Sequence, residues 1–193
     1  MTETSSSPAA DWTGEPVAPG AKRPAVIMDA DGTLCDVRSV QHFVSNPDGT
    51  KAKKPNFHKF HAGSANCPPH EEVAGLARRA HESGMGVVVV TGREARWRDM
   101  TAKWLKKNGI PYDALITRGS NDYRPDHVVK TELLQRVQRS FRPVLAVDDR
   151  PDIIKVWHDA GIPAVQVDKE GALGPVDTPA GATLDPKAAA LLA

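Results

Sequence analysis

Two acids stand two residues apart in Asp29-Ala30-Asp31-Gly32-Thr33, directly after an apolar stretch. Carboxylates at that spacing, just past a strand, can both face one metal and one substrate. One is a competent nucleophile toward phosphorus. The other can protonate a leaving alkoxide and later deprotonate a water. Gly32 permits the sharp turn away from the strand. The same residues also suit a turn closed by Asp and Gly, with no chemistry attached.

Three further stretches carry compatible groups. Thr91-Gly92-Arg93 follows the β-branched run GVVVV at 86–90. A hydroxyl and a glycine N–H can hold phosphate oxygens, and an arginine can take a phosphate bidentately. Lys130 falls in the first turns of a predicted helix, where a fixed ammonium neutralises a transferring phosphoryl group; a solvated lysine is the plainer alternative. Asp148-Asp149 ends another apolar run, and adjacent carboxylates repel unless a cation lies between them. Mg2+ takes a few carboxylates, several waters and a phosphate oxygen, which suits Asp29, Asp31 and Asp148. Asp149 either supports that metal or caps the helix opening at Pro151.

The elements must bring these groups together. Short apolar strands are predicted at 25–30, 86–92, 114–118, 144–149 and 164–167, and helices at 69–83, 94–109, 126–139 and 151–161. Strands alternating with helices predict a parallel sheet with right-handed crossovers and helices on both faces. Ligands in such sheets bind beyond the carboxyl ends of the strands. Asp29 and Asp31, Thr91 and Arg93, and Asp148 and Asp149 all fall at those ends.

In this order, DxDGT, Thr-Gly after a hydrophobic strand, Lys and Asp-Asp resemble the four motifs of the haloacid dehalogenase (HAD) phosphohydrolase superfamily. The resemblance covers residues 25–168. It implies a three-layer, Rossmann-like α/β fold with a central parallel sheet and a small lid insert at about 37–67. It also implies Mg2+ as cofactor. Asp29 would be the nucleophile and Asp31 the general acid/base, with Thr91 and Lys130 on the phosphate. Asp29, Asp148, Asp149 and the backbone carbonyl of Asp31 would hold the metal.

VVVVTGREAR, RPDHVVK and LAVDDRPDIIKVWHDAGIPAVQV are similar to the 3′-phosphatase domain of bacteriophage polynucleotide kinase/phosphatases. That similarity adds Arg93, Asp126 and, at a different spacing, Arg38 as substrate-supporting residues. It implies a nucleic-acid 3′ end as the phosphorylated substrate. The bifunctional relatives carry a GxxxxGK[ST] loop, which these 193 residues lack, so phosphatase without kinase activity is expected.

Charge supports an anionic partner. Residues 93–142 carry 12 Lys/Arg against 6 Asp/Glu, and 50–61 add four lysines and no acid, although the net charge is only +1. A solvated surface and a basic rim for nucleic acid are both compatible with this. Arg96 and Arg98 are candidates for the polynucleotide backbone, with Arg96 and Gly92 assigned to substrate. Trp97, Met100 and Trp104 recur at helical spacing and read as core before base stacking. His42, His58 and His61 read as lid packing before metal ligation, because Mg2+ prefers oxygen.

Residues 1–22 and 171–193 lack periodicity and read as tails, with a short helix possible at 186–193. No apolar run is long enough to cross a membrane, and the N-terminus has no secretory pattern. Two cysteines without a disulfide framework fit a reduced, cytoplasmic protein. A nucleotidase and a non-catalytic HAD-like binding protein are the competing readings.

Overall fold

Arg23–Met28 forms β1, the strand on which the molecule is organised, in a computed structural model that describes residues 21–193. The N-terminal tail expected at 1–22 therefore falls almost wholly outside the described residues. Gly86–Glu94 (β2) and Phe141–Asp148 (β4) flank β1 in parallel, Ala114–Arg118 (β3) extends the sheet beyond β2, and Ala164–Val167 (β5) extends it beyond β4. The order is β3-β2-β1-β4-β5, closed at one edge by an antiparallel strand β6, Leu173–Asp177.

Alternation along the strands divides the core. Val26 and Met28 of β1 face one hydrophobic cluster, and Ala25 and Ile27 face another. Helices α2 (Glu71–Glu82), α3 (Arg98–Lys107) and α6 (Pro186–Leu192) cover the first face through Leu76, Trp104 and Leu191. Helices α4 (Asp126–Ser140) and α5 (Pro151–Asp159) cover the second through Leu133, Val137 and Trp157. This is the expected three-layer α/β architecture, with strands buried on both faces.

Three features depart from the sequence reading. Residues after 171 are not a tail: Gly171, at φ +87°, closes a turn that returns the chain as β6, and α6 packs into the core. Gly174 and Pro175 hid that strand, because both are tolerated on a sheet edge and neither signals one. The segment 37–67 contains a 3-10 turn at Arg38–Phe43 and helix α1, Phe57–Ser64, whose first turn is capped by Asn56 Oδ1 accepting from Lys59 N at 2.9 Å. Val40, Phe60 and Cys67 of this segment join the first core cluster. Finally, the helix expected from 94 begins at Arg98, because β2 runs on to Glu94, opposite Arg118 of β3.

Candidate active site

β1 and β4 deliver their terminal acids side by side. Asp29, one residue beyond β1, donates its backbone N–H to Val147 O at 3.0 Å. The carboxylates of Asp29, Asp148 and Asp149 offer oxygens that all lie within 4.8 Å of one another. Lys130 enters from the first turns of α4. Its Nζ lies 2.9 Å from Asp29 Oδ1 and donates to Asp148 Oδ2 at 2.7 Å, with the side chain only 1% exposed. Three carboxylates against one ammonium leave two uncompensated negative charges in a buried site, if all are ionised.

The electrostatics follow. Burial pushes Asp29 up to about 7; Lys130 opposes the rise, and Asp148 and Asp126 add to it. Burial and the neighbouring Asp29 push Asp149 up to about 6. Asp148 is raised by burial against the pull of Lys130. Burial alone would lower Lys130, but Asp148 and Asp29 hold it well above its ordinary value. An all-oxygen, acid-rich donor set short of positive charge fits a hard divalent cation such as Mg2+. Gly32 shapes this cradle: at φ +85°, a Cβ there would stand 2.5 Å from Asp149 Oδ2. Thr33 Oγ1 donates to Asp149 Oδ1 at 3.2 Å.

The Asp31 carboxylate lies outside this acid cluster. Arg93 grips it with two bonds, Nε to Oδ2 at 2.9 Å and Nη2 to Oδ1 at 2.5 Å, and donates a third to Thr101 Oγ1 at 3.0 Å. Burial alone would raise Asp31, but Arg93, with His61 beside it, holds its carboxyl well below the usual carboxylate range. His61 Nδ1 stands 3.5 Å from Asp31 Oδ2. Arg93, expected on the phosphate, is instead 1% exposed, with three of its five N–H groups given to Asp31 and Thr101. It turns inward where the β2–β3 register slips between Thr91 and Glu94.

Thr91 is buried, and its Oγ1 accepts from Arg93 N at 3.3 Å. Gly92 packs beneath Asp126, whose Oδ1 would lie 2.6 Å from a Cβ at that position. Asp126 is itself fixed by Arg118 Nη2 at 2.7 Å and Arg150 Nη1 at 3.3 Å. Arg38 pairs with Asp36, and Arg96 pairs with Glu94; both are exposed, and neither makes a hydrogen bond or ion pair to the acid cluster. Trp104 is core and donates Nε1 to Cys67 O at 2.8 Å, whereas Trp97 and Met100 are only half-buried. His42 packs apart, on Phe43, whereas His58 and His61 both pack on Trp97.

Thr33, His61, Arg118 and Arg150 escaped the sequence reading as site residues. Thr33 closes the DxDGT stretch without having been given a role, Arg150 directly follows Asp149, and Arg118 ends a strand on the same rim. His61 carried no such signal, because it reaches Asp31 through the fold of the 37–67 segment.

The polynucleotide kinase PNKP phosphatase-domain family matches residues 23–171. An Autographa californica nuclear polyhedrosis virus protein, "Putative bifunctional polynucleotide kinase/RNA ligase", is 33% identical over 81 residues, covering 41% of this chain and 12% of its own length. A chain of the Pnkp1/Rnl/Hen1 RNA repair complex superposes with TM-score 0.62 at 30% identity, covering 76% of this chain and 43% of its own. A class C acid phosphatase from Bacillus anthracis shares the fold, at TM-score 0.52 and 18% identity over 74% of this chain and 64% of its own. The chain thus spans less than half the length of the viral and RNA-repair relatives.

Proposed function

The chain belongs to the PNKP phosphatase-domain family of HAD phosphohydrolases, and from that premise we propose that it is a Mg2+-dependent phosphatase that removes 3′-phosphates from polynucleotide ends. The observation that carries this reading is the meeting of Asp29, Lys130, Asp148 and Asp149 at the carboxyl ends of adjacent strands.

In this reading a phosphate enters against Lys130, Thr91 Oγ1 and the Gly92 backbone. An Asp29 carboxylate oxygen forms a bond to phosphorus while the bond from phosphorus to the leaving oxygen breaks. The leaving oxygen takes the proton of the Asp31 carboxyl, which becomes the carboxylate that Arg93 stabilises. Asp31 then accepts a proton from water; the water oxygen attacks phosphorus, the Asp29–phosphorus bond breaks, and inorganic phosphate departs. Lys130 compensates charge on the phosphoryl group throughout. Asp29, Asp148, Asp149 and the Asp31 carbonyl would hold Mg2+, which supplies charge neutralisation between nucleophile and phosphate when bound.

The Arg93 fork favours the anionic, proton-accepting form of Asp31, so the water-activating step is the one this resting geometry serves best. Asp126, held by Arg118 and Arg150, positions Gly92. Arg38 and Arg96, each exposed and paired with a neighbouring acid, are assigned to the polynucleotide backbone. Two free, buried cysteines favour a cytoplasmic setting. Among the described residues no helix is long and apolar enough to cross a membrane.

The test is hydrolysis of matched DNA and RNA oligonucleotides carrying a 3′- or a 5′-phosphate, beside mononucleotides, in MgCl2. Preferential release from the 3′ form of an oligonucleotide is the expected result. Equal release from 5′ ends, or preference for mononucleotides, overturns the assignment and favours the nucleotidase reading; no hydrolysis of any of them favours a binding protein.

A further inference from the structure

Helix α1 places Phe57, His58 and His61 on one face, at positions i, i+1 and i+4. Trp97, from the 3-10 turn Ala95–Trp97 just beyond Arg93, meets that face. The Phe57 and His61 rings stack with centroids 6.1 Å apart and planes at 28°. His58 and His61 lie 5.2 and 5.9 Å from the Trp97 ring.

This is not an ordinary core cluster. Phe60, from the same helix, and Trp104 are buried in the core, but Phe57 is 48% exposed. Trp97 Nε1 is shielded from solvent and has no hydrogen-bond partner among the described residues, whereas His61 Nδ1 faces Asp31 Oδ2 at 3.5 Å. An exposed Phe57 beside an unmet indole N–H is poorly explained by packing alone.

Its location gives it a ligand. His61 lies 3.5 Å from Asp31, the acid on the leaving-group side of the site, whereas Lys130 and the acid cluster lie on the phosphoryl side. With Asp31 serving the leaving oxygen in the proposed reaction, what bears the phosphate leaves on the side of Asp31 that α1 borders. Charge points the same way: Lys51, Lys53 and Lys54 are exposed just ahead of α1, and Arg96 adjoins Trp97. Aromatic rings beside exposed cations are the surface that single-stranded nucleic acid uses, with bases on the rings and phosphates on the cations.

We propose that Phe57, His58 and Trp97, seated on the buried ring of His61, form a stacking platform for the nucleobase adjoining the 3′-phosphate, with Lys53, Lys54 and Arg96 beside the backbone upstream. The inference rests on the polynucleotide 3′-phosphatase reading and says how that end is gripped. Since every base has a π-face, the platform selects for the presence of a base and not for its identity.

The experiment compares two single-stranded oligonucleotides with 3′-phosphates, one with an ordinary terminal nucleotide and one with a terminal abasic residue, using the full chain in MgCl2. The intact protein should favour the base-bearing end in kcat/KM by about tenfold or more. In Phe57→Ala and Trp97→Ala that preference should collapse toward one, through KM. Phe57 is exposed, so its variant should fold even if Trp97→Ala does not. A preference that survives Phe57→Ala, or no preference in the intact protein, overturns the platform while leaving the phosphatase reading standing. Failure to release phosphate from either oligonucleotide overturns both, because the proposed ligand is that end.

Discussion

Asp29 and Asp31 lie two residues apart, yet the fold treats them in opposite ways. Asp29 shares a buried site with two other acids and one lysine, and is raised to about 7. Asp31 is clasped by the fork of Arg93 and held well below the ordinary carboxylate range. One acid therefore sits where negative charge is in excess and a cation is wanted. The other already has its cation. Identical side chains acquire different work from their surroundings, and the surroundings come from different elements: β4 and α4 for Asp29, β2 and α1 for Asp31.

The largest expected effect breaks the first half. Asp29→Asn removes the attacking oxygen and should lower turnover by about 1,000-fold or more, with an unchanged circular dichroism spectrum. Residual activity within tenfold of the parent would remove Asp29 from the nucleophile's role.

Asp31→Asn breaks the second half and should act differently. Turnover should fall by about 100- to 10,000-fold on a sugar phosphate, and much less on an aryl phosphate whose leaving group needs no proton. It should also destabilise the protein by about 3 kcal/mol or more, because Arg93 is left charged, buried and unpaired. Equal losses on both substrates would remove Asp31 from protonating the leaving oxygen and confine its work to activating water; no loss on either would argue against proton transfer at Asp31.

The halves also predict opposite slopes of stability with pH. Asp29 and Asp149 are raised from 3.8 to about 7 and about 6, so without metal their contribution to stability falls as pH climbs from about 4 to about 7. Asp31 is lowered, so its contribution is present above about 4 and is lost as pH drops below its ordinary value. Thermal melts in EDTA should show the first decline, and Mg2+ should remove it by raising Tm most near pH 7. A melting temperature indifferent to Mg2+ at pH 7 would speak against a metal at these carboxylates.

The smallest effect sharpens the link between the halves. Gly92→Ala would place a Cβ 2.6 Å from Asp126 Oδ1, forcing the carboxylate off Arg118 and Arg150. About a tenfold loss in kcat/KM is expected, and if Gly92→Ala costs nothing further in an Asp126→Ala background, the collision is identified as its cause.

Much of this was legible in the sequence because strand-end positions and hydrophobic runs are local signals. GVVVV announced a strand buried on both faces, and Asp29, Asp148 and Asp149 fell at the strand ends where ligands collect, with Lys130 in the first turns of a helix. What was not legible depended on distant partners. Arg93 looked free to meet a phosphate, but the register slip after Thr91 turns it onto Asp31. Asp31 looked like a member of the acid cluster until that turn removed its carboxylate. His61 gave no periodic signal of its own and reaches Asp31 only because α1 folds back over the site. Strand β6 was hidden by Gly174 and Pro175, residues that an edge tolerates and a propensity argument rejects.

The most direct test is to trap the phosphoryl group on Asp29. The protein would be mixed with a 3′-phosphorylated oligonucleotide and MgCl2, quenched during turnover, and reduced with borohydride, which converts an aspartyl phosphate to homoserine. Peptide mass spectrometry should then find homoserine at position 29 and aspartate unchanged at position 31. Homoserine at position 31, or an unmodified Asp29 in protein quenched while releasing phosphate, would contradict the account.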